Sequence, residues 1–480
     1  MHTVKRDRVN QHFGKWFRHV LMDAGIMDYR YPVKGMAVWK PYGFKIRQSL
    51  LKVIRGLLDN SGHSEMLFPL LIPETSIKKE SEHIKRLETE MFWVTRGGLT
   101  PLEINYALRP TSETAIAPML RLWIRSHADL PIKLYQIVNI FRYETKATRP
   151  LIRMREVDNF KEAHTAHATA KEAEAQVREA VEIYRRFFDT ICVPYKISRR
   201  PEWDKFAGAV YSIAFDYIAP DGRVIQVGTV HNLGQNFSKA FDVSYETEKG
   251  TRQHVWQTCY GLSGRPLVAM LAAHGDDNGA VLPPEVAPTQ AVIIPIPYKG
   301  LENQIVEACN AVASKLKKAG VSVELDQRAD LTPGSKYFYW ELHGAPVRIE
   351  IGPRDVKQGV VTVVRRDTRE KQTCKLTEVA PMTKNMFKTM TYDMREKSWR
   401  WINEHVHRVG SLEEAKRLLT QRAGIVEVAW CGNDKCGHEI EEATEASVLG
   451  TPEDSREKVK GNCVVCGKRA KGVLRTAFAY

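Results

Sequence analysis

Residues 133–158 read KLYQIVNIFRYETKATRPLIRMREVD. A period of two runs through the first half, so Gln136, Val138, Ile140, Arg142 and Glu144 share one face of an extended segment. Residues 145–150 make a polar turn, and the returning run, 151–157, puts Arg153 and Arg155 together on one of its faces. The expectation is a hairpin whose strands hold Arg142, Glu144 and Arg153 rigidly. A guanidinium is planar and permanently charged, which suits it to phosphate or carboxylate. A solvated hairpin face with surface ion pairs would have the same composition, so the rest of the chain has to decide.

The chain has 480 residues, enough for roughly three domains of ~150 each. Hydrophobic residues make up 43% and charged residues 27%, which describes a globular chain with ample core. A net charge of +14 favours a polyanionic partner such as nucleic acid and is silent about fold. The opening MHTVKRDRVNQHFGKWF lacks the apolar centre of a signal peptide. The longest apolar runs, 66–73 and 291–297, are too short to span a bilayer. A cytosolic location without membrane attachment is therefore expected.

Residues 45–58 place Ile46, Leu50, Leu51, Ile54, Leu57 and Leu58 at helical spacing. The next apolar run, MLFPLLIP (66–73), reads as a buried strand. Pro69 puts it at an edge or interface, where a missing ladder donor is tolerated. A dimer element and an ordinary core strand both fit that pattern. RPTSETAIAPMLRLWIR (109–125) reads as a loop entering a helix, with Thr111 or Ser112 as cap and Glu113 in the first turn. An amphipathic helix follows over 171–190, then strands over 193–198, 214–219 and 223–230. This is an antiparallel sheet flanked by helices, not a regular βαβ alternation.

Beyond residue 281 the pattern changes to strand 291–297, helix 301–319, strand 321–326, helix 333–342 and strands 346–351 and 360–366. That is a separate α/β domain. A helix over 382–407 leads to the last region, and the expected domains are 1–283, 284–390 and 391–480.

No GxxxxGK[ST] phosphate loop occurs, so nucleotide binding would need another device. QTCYGLSGRPLVAML (257–271) has a glycine-rich turn opening an apolar helix with Arg265 in its first turn. A cation there opposes the helix dipole and points to a ligand anion. IQVGTVHNLGQNFS (225–238) interleaves Gln226, Thr229, His231, Asn232, Gln235 and Asn236 with apolar residues. Such a polar ladder wants a ligand or a hydrogen-bonded network. A lone histidine like His231 is ordinarily a satisfied structural residue. Cys192, Cys259, Cys309 and Cys374 are scattered, while Cys431, Cys436, Cys463 and Cys466 form C-x₄-C and C-x₂-C pairs twenty-six residues apart. In a reducing compartment this spacing indicates a closed, structural Cys₄ zinc site.

Several strings agree with one family: Pro69 in a first motif, FRYE (141–144) with Arg153 in a second, and GLSGR (261–265) in a third. TSE (111–113), FKEAH (160–164), QVGTVHNLGQNFSK (226–239) and WELHGAPVRIEIGPRD (340–355) are more specific. From about residue 10 to Tyr480 the chain resembles the class II aminoacyl-tRNA synthetases, and closely the prolyl branch of archaeal and eukaryotic type. The HIGH and KMSKS strings of the other synthetase class are absent.

The resemblance implies an α+β catalytic domain built on an antiparallel sheet, an α/β anticodon-binding domain and a small α/β zinc-binding C-terminal domain. It implies activation of L-proline by ATP, with Mg²⁺, and transfer to the 3′ end of tRNA(Pro) by a homodimer, with cysteine and alanine as the expected errors. By the same resemblance Arg142 would hold the α-phosphate near the amino-acid carboxylate. Glu144, Arg153, Gln226, Thr229, Ser263 and Arg265 would serve ATP. Thr111 and Glu113 would receive the imino group, and Phe160, Glu162, His164 and His231 would wall the proline pocket. Glu341, Arg348 and Tyr337 would read the anticodon, and Tyr480 would fold back toward the catalytic domain. Val157 replaces the phenylalanine that stacks on adenine in many members, and the stretch between the second motif and Gln226 is too short for an inserted editing domain.

Overall fold

The computed structural model describes residues 5–79, 88–454 and 459–480. The strands Ile132–Phe141, Glu156–His167, Trp256–Leu262, Val224–Gly234, Tyr211–Ile218 and Lys196–Arg199 lie side by side in that order, antiparallel throughout. Alternation along Glu156–His167 sorts its side chains. Phe160 and Glu162 face a cavity, while Lys161 points to the other side, where it meets Tyr184. That second side is covered by the helix Ala170–Thr190, opened by a capping box between Thr169 and Glu172. Its Val177, Ala180, Ile183, Tyr184, Phe187 and Phe188 pack with Phe215, Val230 and Tyr260. Each large side chain so buried contributes about 1.5–3 kcal/mol, which holds the sheet rigid beneath the cavity.

The C-terminal region extends this sheet. Ser447–Pro452 pairs with Lys196–Arg199, and Gly472–Ala477, Ile425–Trp430 and Val406–Val409 follow. The division expected near residue 390 falls inside one 26-residue helix, Val379–Glu404. The α/β unit has a five-stranded sheet in the order Val323–Leu325, Ala291–Pro295, Val347–Ile351, Val360–Arg365, Lys371–Lys375. Its last strand was not legible in the polar string KQTCK. A buried two-pronged ion pair ties this unit to the residues just beyond the helix Arg265–His274: Arg366 donates to both oxygens of Asp276, at 2.6 and 2.7 Å.

Three expectations are corrected. The run 66–73 is not a buried strand: only Leu71–Pro73 is a strand, and Leu67 is 79% exposed, with Met66, Leu70 and Leu71 also exposed. Phe68 and Ile72 alone turn inward. The hairpin does not hold its charged residues on strands. The first strand stops at Phe141 and the second begins at Glu156, so Arg142, Glu144 and Arg153 lie on the connecting loop. Pro150 cannot donate to a ladder, and Leu151 takes a φ of 60° inside a turn closed by Arg149 and Arg153. Finally, Ser112 stands at the N-cap of Glu113–Trp123 without a side-chain capping bond, because its hydroxyl is directed to Glu162.

Candidate active site

The cavity on the open face of the sheet holds about 440 Å³. Thr111, Glu113, Arg142, Glu144, Arg153, Phe160, Glu162, Gln226, Thr229, His231, Ser263 and Arg265 all line it, although they come from five separate segments. His164 does not: it stands behind Glu162, with its Nε2 3.3 Å from a Glu162 oxygen. Gly261 keeps the floor open, since a Cβ there would lie 3.0 Å from the Phe160 ring.

One set of bonds is acidic. Thr111 donates to Glu113, and the Cys259 thiol donates to the other Glu113 oxygen at 3.0 Å. Ser112 donates to Glu162, and the Gln136 amide reaches both Ser112 Oγ and Glu162 at 2.9 Å. Burial alone would lower the pKa of His164, but its bond to Glu162 and the nearby Glu113 raise it. Burial, then Glu113, holds the Cys259 thiol well above its usual range, so it stays a donor. Two buried carboxylates, held mainly by hydroxyl, thiol and amide donors with His164 behind Glu162, make a place suited to a small cation.

The other set is basic. Arg265 Nε donates to the Ile152 carbonyl at 2.9 Å and its Nη1 to the Gln226 carbonyl at 3.2 Å. Arg142 Nε donates to the Pro110 carbonyl at 3.1 Å. Arg153 lies 3.9 Å from Glu144 and donates to the Tyr480 carbonyl at 3.1 Å. Tyr480 thus reaches the loop that carries Arg142 and Arg153, with its ring under Arg149 and Arg223 and its hydroxyl on Asp221. A molecule with an ammonium group and an anionic tail would match both sets at once.

Sequence reasoning missed Cys259 and Arg200. The string around Cys259 was singled out for its glycines, but its direct cross-strand neighbour, His164, depends on a pairing register that local sequence does not encode. Arg200 lines the cavity from a loop and donates to Asp216 at 2.7 Å and to the Gln226 side chain at 2.9 Å. Val157 lines the cavity too.

Far from the cavity, the sulfurs of Cys431, Cys436, Cys463 and Cys466 lie within 4.8 Å of one another. Cys431 is 3.7 Å from Cys436 and from Cys466. A zinc–sulfur bond of ~2.3 Å gives a tetrahedron edge of about 3.8 Å, so the sulfur spacing fits that ion. In the α/β unit, Arg348 donates to Glu341 at 2.9 Å and to Glu350 at 3.0 Å, and its guanidinium lies 4.1 Å from the Tyr337 ring centre. Glu341 and Arg348 are brought together, and they bind each other. No described helix is long and apolar enough to cross a membrane.

Three family models match successive segments: the "tRNA synthetase class II core domain (G, H, P, S and T)" at 92–274, the "Anticodon binding domain" at 290–386 and "Prolyl-tRNA synthetase, C-terminal" at 412–480. The proline–tRNA ligase of Methanopyrus kandleri is 52% identical over 478 residues, covering 100% of this chain and 98% of the relative. That of Metallosphaera sedula is 53% identical over 480 residues, covering 99% and 100%. The Giardia lamblia prolyl-tRNA synthetase solved with prolyl-adenylate superposes with a TM-score of 0.96 at 37% identity, covering 100% of both chains. The Cryptosporidium parvum enzyme with halofuginone and AMPPNP gives 0.94 at 33%, covering 100% and 97%. The chain belongs to the prolyl-tRNA synthetases, of the class II aminoacyl-tRNA synthetases.

Proposed function

We infer that this protein is a proline–tRNA ligase: it joins L-proline to ATP, releasing diphosphate, and passes the prolyl group to the 3′ end of tRNA(Pro). The observation that carries this reading is the single cavity in which buried Glu113 and Glu162 stand beside Arg142 and Arg265. The imino group of proline is a cation that Glu113 and Thr111 receive, with Phe160, Glu162 and His231 as walls and His164 steadying Glu162. Arg142 binds where the proline carboxylate and the α-phosphate meet. Glu144, Arg153, Gln226 and Thr229 contact ATP, and Ser263 and Arg265 take its ribose and γ-phosphate end. Mg²⁺ enters with ATP.

The carboxylate is already a nucleophile, so its oxygen attacks the α-phosphorus without a general base, and diphosphate leaves. Negative charge concentrates at that phosphorus in the transition state, and fixed guanidinium groups stabilise it without reorganising. The walls exclude larger amino acids, but a missing methylene costs only ~1–3 kcal/mol, so alanine and cysteine are the expected errors. The segment between the catalytic loop and Gln226 is filled by strands and the Ala170–Thr190 helix of the fold, which leaves no editing insertion there.

We further propose that the four cysteines hold a structural Zn²⁺, and that the α/β unit reads the anticodon through Glu341, Arg348 and Tyr337. The Glu341–Arg348 pair would open so that Glu341 accepts from a base amino group and Arg348 donates to guanine. The exposed apolar run around Pro69 would meet a second copy of the chain, giving a cytosolic homodimer. The test is ATP–pyrophosphate exchange with proline and with threonine. Exchange that depends on proline supports the reading, and exchange driven by threonine instead overturns it.

A further inference from the structure

Residues 200–210 connect the strands Lys196–Arg199 and Tyr211–Ile218 and touch two sites at once. Phe206 lines the cavity and lies on the His231 ring, with centroids 4.7 Å apart and planes at 32°. Its amide donates to Ser212 Oγ at 2.9 Å, and that oxygen is 2.7 Å from His231 Nδ1. Three residues earlier, Trp203 turns away from the cavity onto the C-terminal helix Asp434–Thr444. Its ring is centred 4.4 Å from that of His438, and its Nε1 donates to Glu441 at 3.1 Å. Gly437 forms the seat, because a Cβ there would come within 2.2 Å of the Trp203 ring. The same helix carries Cys436 in its first turn.

The piece between the two rings is stiff. The amides of Asp204 and Lys205 both donate to the Pro201 carbonyl at 3.0 Å, and the proline ring fixes its own φ. A shift of Trp203 therefore carries Phe206 with it. Arg200 secures the base of the segment independently, donating to the Leu449 carbonyl of the C-terminal strand at 2.7 Å and to Asp216 at 2.7 Å.

We propose that Trp203 is a positioning residue: through it the C-terminal unit sets where Phe206 closes the amino-acid end of the cavity. This rests on the reading of that cavity as the proline site. Arg142 and Arg265 are held by the carbonyls of Pro110, Ile152 and Gln226. The 200–210 segment reaches an ATP contact through Arg200 on the Gln226 side chain, and Arg200 is fixed separately by Leu449 and Asp216, so the ATP contacts stay in place when Trp203 moves.

The experiment uses the full-length chain and pyrophosphate exchange. Gly437→Ala touches no substrate and pushes on Trp203 from the C-terminal side. It raises KM for proline about fivefold or more while KM for ATP stays within about twofold, with bound zinc unchanged and one cooperative unfolding transition showing that the variant is folded. Trp203→Ala gives the same split, and Trp203→Phe, which keeps a ring on Gly437, restores most of the proline KM. If Gly437→Ala does not fold, Trp203→Ala against Trp203→Phe decides by the same split. Unchanged proline KM in the folded variants, or equal rises in both KM values, overturns the proposal. Wild-type exchange that ignores proline would instead overturn the underlying reading of the cavity.

Discussion

Arg142 and Arg265 open on one cavity, and the charge of Arg142 works against that of Arg265. Burial first, then repulsion from Arg142 and Arg153, brings Arg265 down to about 10, well under the usual guanidinium range. Like charges confined in this way are relieved by a polyanion, which agrees with the proposed triphosphate. Arg142→Ala should lower proline-dependent pyrophosphate exchange by about 100-fold or more, with an unchanged circular dichroism spectrum. Exchange within a few-fold of wild type would remove Arg142 from its place at the α-phosphate.

Glu113 is the charge that a protonated imino group would meet, and Thr111 and Cys259 fix both of its oxygens. Glu113→Gln keeps the shape and removes the charge. KM for proline should rise about tenfold or more, and KM for ATP much less, if the arginines hold ATP as proposed. A variant whose two KM values rise together would place Glu113 in the scaffold and not in the pocket.

The ladder residues Gln226, Thr229 and His231 and the helix-start Arg265 stand out because each breaks a local rule, a polar side chain in an apolar run or a cation at a helix start, whereas Arg142 stands out only as a guanidinium on an expected strand face. What sequence could not supply was register and exposure. MLFPLLIP is apolar throughout, yet most of its side chains face outward, since periodicity reports an apolar face and not what covers it. The loop positions of Arg142 and Arg153 follow from the left-handed backbone at Leu151, which no side-chain pattern announces. Cys259 sits opposite His164 only through strand pairing.

The outward apolar residues around Pro69 carry their own test. Leu67 is 79% exposed, with Met66, Leu70 and Leu71 beside it. Leu67→Asp leaves the core untouched and puts a charge where a second copy would dock. Sedimentation should show a dimer for the wild type and a shift toward monomer for the variant. A wild-type chain that sediments as a monomer at micromolar concentration would dispose of the interface.

The cluster of four cysteine sulfurs is expected to bind one zinc per chain. Cys436→Ser removes a ligand from the helix that seats Trp203. Metal content by atomic emission should fall below one equivalent, and the thermal midpoint should drop because metal binding is coupled to folding of the C-terminal unit. Full stability of the variant after dialysis against a chelator would show that the thiols do not need the metal.

Lys161 lies on the helix side of the sheet, 1% exposed, with its Nζ donating to the Tyr184 hydroxyl at 2.8 Å and the Tyr260 carbonyl at 3.0 Å. Burial brings its pKa down to about 7, against the pull of Cys259 and Glu162. In the unfolded chain it returns to about 10.4. Between those two values the unfolded state binds more protons than the folded one, so the Lys161 contribution to stability rises with pH, by at most about 1.4 kcal/mol per unit. Below about pH 7 the ammonium is present in both states and the full burial cost is felt. Lys161→Met cannot titrate, so the stability of the variant relative to wild type should be greatest at about pH 6–7 and shrink steadily toward pH 9. Urea unfolding across that range reads the difference directly, and a difference that stays flat with pH would mean that Lys161 keeps an ordinary pKa in the folded protein.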